Sequence, residues 1–371
     1  MKKIIISIII LFSGAAFSFA QDNIKINAQI RPRFEFSNLD FNNNNSASTF
    51  ALLRTRLGAR FTPSDDLTAF IQIQDSRHFG GAKSTVADLK NIDLHQAFFR
   101  LNNIFASKLS LTIGRMELSF NNERLVGVAN WGNTGRRFDG IHAGYKTEKL
   151  DAQFFAYKEA ENLLLGDTLD QNIYGLSLDL NLIKNYKIQP IIIWQKQIPA
   201  KTTSRFTTGV YTKGDIGNFS HEAEFYYQFG DQNINKINYD ISAFLFSLNL
   251  NYTFDLPSKP FLGAGLDYLS GDDKLTDNQY KVFNTIYGTN HKFYGYMDYF
   301  VNMPNDTYGL GLSDYFVRAG LSLSKEIKTA VMFHLFNSNA DYKLKTGSIT
   351  KSFGTEVDFI LNPELSLEKI I

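Results

Sequence analysis

Arginine is the residue type in this 371-residue chain best suited to chemistry, and it is unevenly placed. Of thirteen arginines, eleven fall in the first 140 residues: Arg31, Arg33, Arg54, Arg56, Arg60, Arg77, Arg100, Arg115, Arg124, Arg136 and Arg137. A guanidinium is a planar, permanently charged fork that grips carboxylate or phosphate through two parallel hydrogen bonds. Arg31 and Arg33 stand two apart, as do Arg54 and Arg56, with Arg60 four further on. In an extended strand that spacing puts each set on one face. Such a row would attract and guide anions. The same arginines can also pair with acids such as Glu35, Glu117 and Asp139 in a purely stabilising network, and both uses can hold at once.

A second constellation follows. Gly114-Arg115-Met116-Glu117-Leu118 ends one apolar-alternating segment and leads to Glu123-Arg124, and Arg136-Arg137-Phe138-Asp139-Gly140 opens the next. A glycine there predicts a bulge that brings Arg115 and Glu117 onto one face, which suits a charged constriction. The candidate anion-binding, pore-lining set is therefore Arg31, Arg33, Arg54, Arg56, Arg60, Arg77, Arg100, Arg115, Glu117, Arg124, Arg137 and Asp139. Paired carboxylates can do acid–base work on sugars, but no spacing fixes a distance between Glu117 and Glu123. The six histidines, at 78, 95, 142, 221, 291 and 334, lack metal-ligand spacing. No GxSxG elbow occurs, no phosphate-binding glycine loop, and no cysteine. Neither a metal, a cofactor nor a catalytic residue is expected. Tyr226, among Glu222, Glu224 and Gln228, is a candidate for stacking on a sugar ring, whereas Trp131 and Trp194 read as interface anchors or loop packing.

The elements that must position these residues are strands. From Ile24 to Phe36 the even positions are Ile, Ile, Ala, Ile, Pro, Phe and Phe, and the odd ones are Lys25, Asn27, Gln29, Arg31, Arg33 and Glu35. Ala51, Leu53, Leu57, Ala59 and Phe61 oppose Arg54, Arg56 and Arg60. Phe225, Tyr227 and Phe229 oppose Glu224, Tyr226 and Gln228, and Val317, Ala319 and Leu321 oppose Arg318, Gly320 and Ser322. About sixteen such segments follow one another, with a seventeenth expected to begin near Glu364. Asn42 to Ser46 and Gly80 to Ser84 read as loop tips. Residues 119–136 and 271–307 are too aromatic and charged to be slack spacers, and are expected to fold inward or cover a mouth.

Residues 1–20 read as a secretory signal: Lys2-Lys3, an apolar run from Ile4 to Phe12, and Ser18-Phe19-Ala20 before Gln21. That apolar run is shorter than the roughly 20 residues a spanning helix needs. Setting those residues aside removes two lysines and leaves 36 basic against 37 acidic side chains, so nothing attracts nucleic acid in bulk. With 33 Phe and 18 Tyr, the chain has the aromatic content of interface girdles. The expectation is an all-β transmembrane antiparallel β-barrel of 16–18 strands over residues 21–371, in the outer membrane of a Gram-negative-type envelope. Its last one or two strands are expected to be missing, because the chain stops at Ile371 in mid-pattern.

Several stretches resemble the alginate-export family of outer-membrane porins. They are Ile73-Gln74-Asp75-Ser76-Arg77, His95-Gln96-Ala97-Phe98, Gly114 to Leu118 continuing through Glu123 to Gly127, Arg137-Phe138-Asp139-Gly140, and Thr289 to Asp298. The resemblance implies an eighteen-stranded barrel with an arginine-rich lumen selecting polyuronate, and it carries over Arg115, Glu117, Arg124, Arg137 and Asp139 as lumen residues. The leading expectation is thus a passive channel for anionic oligo- or polysaccharide or another anionic solute, bathed in outer-membrane lipid. The alternatives are a general small-solute porin, a barrel enzyme acting on lipid or glycan, and a secreted β-sandwich that binds carbohydrate.

Overall fold

The structure, a computed structural model, describes residues 23–37, 46–87, 90–161, 170–197, 203–272, 274 and 277–363. The signal segment, the asparagine-rich tip at 42–45 and the strand expected near Glu364 lie outside these residues. Strands account for nearly all the regular structure. They are β1 (Ile24–Ser37), β2 (Ser48–Ser64), β3 (Leu67–His78), β4 (Ile92–Ile104), β5 (Leu109–Met116), β6 (Phe138–Lys146), β7 (Leu150–Ala160), β8 (Gln171–Ile183) and β9 (Tyr186–Gln197). There follow β10 (Thr203–Ile216), β11 (Phe219–Ile234), β12 (Ile237–Thr253), β13 (Phe261–Leu269), β14 (Gln279–Tyr280), β15 (Leu312–Ser322), β16 (Ile327–Lys343) and β17 (Ile349–Pro363). Sixteen are long antiparallel strands, as the alternation predicts; β14 is a two-residue addition running parallel to β12.

The chain divides into two compact units, residues 1–117 with 130–144, and residues 118–129 with 145–371. In the first, β1 pairs with β2, β2 with β3, β3 with β4 and β4 with β5. In the second, β7 through β13 pair consecutively, β13 pairs with β15, and β15, β16 and β17 complete the series.

Both units are built inside out. On β1, Ile26 is 73% exposed and Phe34 74%, and on β11 Phe225 is 48% exposed while its neighbours Glu224 and Tyr226 are buried. Leaving a Phe or Ile side chain in water instead of burying it forgoes about 1.5–3 kcal/mol. A handful of such positions would offset the roughly 5–15 kcal/mol by which a domain is stable. Alternating strands with the greasy face outermost are stable where that face meets lipid.

The segment between β13 and β15 folds onto the polar face of the second unit, as its composition predicts. Gln228 on β11 clamps it with two bonds, Nε2 to the Asn284 carbonyl at 2.7 Å and Oε1 from the Asn284 N–H at 2.9 Å. Glu356 on β17 accepts the Met297 N–H at 2.8 Å. Val126 bridges to Tyr287, and Phe300 packs on Phe336. Leu125, Val126, Phe283, Tyr287 and Phe300 are all buried there.

Candidate functional site

In the first unit the polar phase of β1 and β2 carries the arginines. The register sets Arg31 directly opposite Arg54, and Gln29 opposite Arg56. Arg54 and Arg56 are buried, Arg31 and Arg33 half-buried. Like charges directly opposite repel, so this pairing needs compensation, and most of it comes from neutral oxygens. The segment Asn130–Thr134 lies across the row as a strap. Arg31 donates to the carbonyls of Asn130, Trp131 (3.3 Å) and Gly132 (3.0 Å), and Arg33 donates to that of Trp131. Arg54 donates to Asn130 O at 3.2 Å and Gly132 O at 3.3 Å, and Arg56 to Thr134 O at 3.1 Å. The guanidinium of Arg33 also stacks 4.5 Å from the Trp131 ring.

The strap is held from the strands. Ser76 donates to Asn133 O at 2.9 Å, while the Asn133 amide donates to the carbonyls of Arg77 (3.2 Å) and Leu53 (3.4 Å). Among the described residues only two carboxylates pair with the four arginines: Glu35 with Arg33 at 2.5 Å, and Glu117 with Arg56 at 3.0 Å. His95 sits 2.9 Å from the same Glu117 oxygen. Burial pushes the Glu117 carboxyl up, but the hydrogen bond to His95 and the charge of Arg56 more than offset it, leaving its pKa below the ordinary value.

The remaining predicted residues divide. Arg60 is exposed and lies 4.9 Å over the Phe70 ring; Arg100, also exposed, bonds Asn102 and Ser110. Arg137 pairs with Asp93 at 2.5 Å. Strand phase sets Arg77 and Arg115 apart from the row of Arg31, Arg54 and Arg56. Arg54 is opposite Ser76, which puts Arg77 and its partner Asp75 on the face of Ile71 and Ile73. Arg115 is opposite Ala97, in phase with the pair of exposed Phe99 and half-buried Ile113, and its fork holds Asp139 at 2.7 and 2.8 Å. Gly114 does have a left-handed φ of 133°, where a Cβ would meet the Ala97 carbonyl at 2.2 Å. Even so, the register runs unbroken through it. The shift lies instead on β4, between the pairs Gln72–Gln96 and Ile73–Leu94, and the extra residue is buried His95.

In the second unit, Arg124 is buried rather than available. Its fork is bidentate on Asp267 at 2.9 and 3.0 Å, Nε donates to Glu224 at 3.2 Å, and Nη2 donates to Ser247 at 3.1 Å. Phe293 lies 3.7 Å away over the guanidinium plane. Burial alone would lower the Arg124 pKa; the Asp267 and Glu224 charges outweigh it and hold it well above the ordinary value. Arg124 therefore acts as a strut at the cavity wall, its donors committed to Asp267, Glu224 and Ser247.

Beside it opens a cavity of about 470 Å³, lined by Lys187, Lys213, Lys292, Arg318, Glu222 and Phe293 among others. Here too neutral oxygens hold the cations: Arg318 donates to Asn251 (2.8 Å) and Asn249 (3.2 Å), and Lys292 to the Asn122 carbonyl (3.0 Å), while Lys213 pairs with Glu222 at 2.5 Å. Sequence reasoning missed this group. The signal that could find it is strand phase, which puts Arg318 and Glu222 on the polar face. Tyr226 is fully buried and receives a bond from Asn121 at 3.1 Å, so its ring has no face to offer a sugar. Three histidines are committed to carboxylates: His95 to Glu117, His334 to Asp314 at 2.9 Å, and His291 to Asp298.

The alginate-export family model matches residues 22–350 of the chain. No curated protein matches it in sequence. Among solved structures, OccAB4 of Acinetobacter baumannii is 14% identical, with 92% of this chain and 88% of that chain covered and a TM-score of 0.55. The outer-membrane channel DcaP of the same organism is 13% identical, with 93% and 99% covered and a TM-score of 0.51. An anion-selective porin from Comamonas acidovorans is 9% identical, with 91% and 98% covered and a TM-score of 0.53. At these identities the likeness is one of fold, that of an outer-membrane β-barrel.

Proposed function

Since the chain belongs to the alginate-export family and is an outer-membrane channel, we propose that it passes anionic oligo- or polysaccharide, such as a polyuronate, along an arginine-lined lumen. The observation that carries this reading is the charge excess on the polar face of β1 and β2. Four guanidinium groups meet two carboxylates there, and several of their other donors rest on backbone carbonyls and side-chain amides.

Those neutral acceptors are what a uronate carboxylate would replace. A hydrogen bond between two ionised groups is roughly twice as strong as one to a neutral acceptor, so an arriving carboxylate outcompetes a strap carbonyl at each station. The loss of the carbonyl bond keeps the net gain small. Transport needs that balance, because sites must attract the chain yet release it to the next. The cavity bearing Lys187, Lys213, Lys292 and Arg318 supplies a second station of the same kind.

Conductance of the protein in planar bilayers tests the proposal. The expected result is anion preference and blockade by oligouronate but not by a neutral oligosaccharide of equal length. The double variant Arg31→Gln with Arg54→Gln should lose several-fold in anion preference. Equal cation and anion permeability in the unaltered protein would overturn the proposal, and so would a double variant with unchanged selectivity. A general small-solute porin would pass both sugars alike.

A further inference from the structure

The polar face of β9 and β10 sets two lysines side by side near one end of the strands. Lys187 lies directly opposite Lys213, in the phase of Gln189 and Tyr211. Like charges so placed repel, and only one of the two is compensated. Lys213 pairs with Glu222, which stands opposite it on β11 and also accepts the Tyr211 hydroxyl at 3.2 Å. Lys187 is exposed and has no ion-pair partner among the described residues. Asp179 on β8 accepts the Gln189 amide at 3.0 Å instead. Lys184, in the tight turn from β8 to β9, is exposed and has no such partner either.

These three lysines line one hollow of about 580 Å³, with Asn185 and Tyr186 beside them. Asp215 is the one carboxylate in its wall, so cations outnumber acids three to one. Tyr186, of the opposite phase, lies against Gly214, where a Cβ would meet its ring at 2.3 Å. Lys187 and Lys213 also line the 470 Å³ cavity that holds Lys292 and Arg318, so the two spaces share a wall. The hollow lies where the short connections Ile183 to Tyr186 and Ile216 to Phe219 are. Outer-membrane barrels turn that end to the periplasm.

We infer that Lys184, Lys187 and Lys213 form a capture site for the carboxylates of an anionic saccharide at the periplasmic end of the channel, from which the chain passes to the cavity of Lys292 and Arg318. An arriving carboxylate supplies the countercharge that Lys184 and Lys187 lack, and it displaces no protein acceptor from either. The arginine row under the strap differs in this, since carbonyls must give way there. Charges at a rim act chiefly on the rate of association, and a mouth lined by one sign of charge raises it by roughly 10- to 1,000-fold. Phase sets Lys187 on the side of Gln189, away from Ile192, which is exposed on the apolar face. The inference rests on the proposed channel function and adds to it the side from which the solute is taken up.

Single-channel blockade by oligouronate added to one compartment at a time is the test, in phosphatidylcholine bilayers that contribute no net charge. The unaltered protein should capture several-fold faster from one side, and raising the salt concentration should shrink the difference. Lys184→Gln with Lys187→Gln should remove the difference by slowing capture from that side alone, with the duration of each block kept. Lys213 stays in place, because its loss would free the Glu222 carboxylate. Lys325→Gln, in the β15–β16 turn at the same end but outside the hollow, should leave both rates unchanged. Gel migration as a folded barrel checks each variant. Equal capture from the two sides, or slowing of both sides alike in the double variant, would overturn the capture site and leave the channel reading intact. So would an equal effect of Lys325→Gln, since the net charge of the mouth would then be acting rather than the hollow. Blockade from neither side would overturn both.

Discussion

Arg31 and Arg54 face each other across β1 and β2, and both guanidinium groups donate to the same acceptor, the carbonyl oxygen of Asn130. One backbone oxygen thus bridges two like charges on neighbouring strands. At ~4 Å and an effective dielectric near 20, two unit charges repel by about 4 kcal/mol. The strap therefore does more than cover the row; its carbonyl dipoles make the row tolerable when no anion is present.

Loosening the strap should expose that dependence. Asn133→Ala removes the amide that ties the strap to the carbonyls of Leu53 and Arg77, without touching an arginine. Each lost bond is worth about 0.5–1.5 kcal/mol. We expect single-channel records with larger and noisier conductance and a lower oligouronate concentration for half-blockade, with anion preference kept. Unchanged noise and blockade would show that the strap does not compete with anions.

The Glu117 carboxyl sets the acid limit of the same network. Its pKa lies below the ordinary glutamate value of 4.5 because His95 and Arg56 outweigh the effect of burial. A group with a depressed folded-state pKa contributes stability that is fully present above the ordinary value and is lost as pH falls through the lowered one. The tie to Arg56 should therefore hold from neutral pH to about 4.5 and weaken below it. Urea unfolding midpoints in lipid vesicles, measured against pH, should fall in that acid window for the unaltered protein and fall less for Glu117→Gln. Parallel curves for the two would contradict the assignment.

Arg124 offers a sharper stability test. Arg124→Leu leaves Glu224 and Asp267 buried without their countercharge. Removing one member of a buried ion pair typically costs about 3–5 kcal/mol. Arg124→Lys keeps the charge but loses the bidentate fork, and should fall between the two. The measurement is again the unfolding midpoint in vesicles. A loss below about 1 kcal/mol for Arg124→Leu would mean that the two acids simply take up protons or water.

How much of this was legible in the sequence follows from the period-2 code. Alternation placed Arg31, Arg33, Arg54 and Arg56 on one face, and the register keeps them there, because a strand that slipped by one residue would turn Phe34 and Leu57 inward. Alternation fails where a strand gains a residue. The bulge at His95 leaves no mark in the hydrophobic pattern, whereas Gly114, the residue whose type suggests a bulge, keeps its register. What the strands cannot report is the fate of the long connections. Nothing local to Asn130–Thr134 says that its carbonyls will meet arginines about a hundred residues earlier, and nothing local to Phe293 says that Arg124 will lie beneath it.

The two-sidedness of the strands can be tested by placing one charge on each face. Phe225 on β11 points its ring to the apolar side and is 48% exposed; Gln189 on β9 lines the cavity on the polar side. Phe225→Arg puts a guanidinium among lipid-facing rings, where an arginine near the bilayer midplane costs about 2–4 kcal/mol. Gln189→Arg adds the same group to a wet cavity that already holds cations, where the cost is repulsion at high effective dielectric. Phe225→Arg should fold poorly into vesicles and unfold at lower urea, whereas Gln189→Arg should fold normally and shift selectivity further toward anions. If Phe225→Arg were tolerated and Gln189→Arg were not, the faces would be reversed, and no channel lined by Arg54 and Arg56 could be built from these strands.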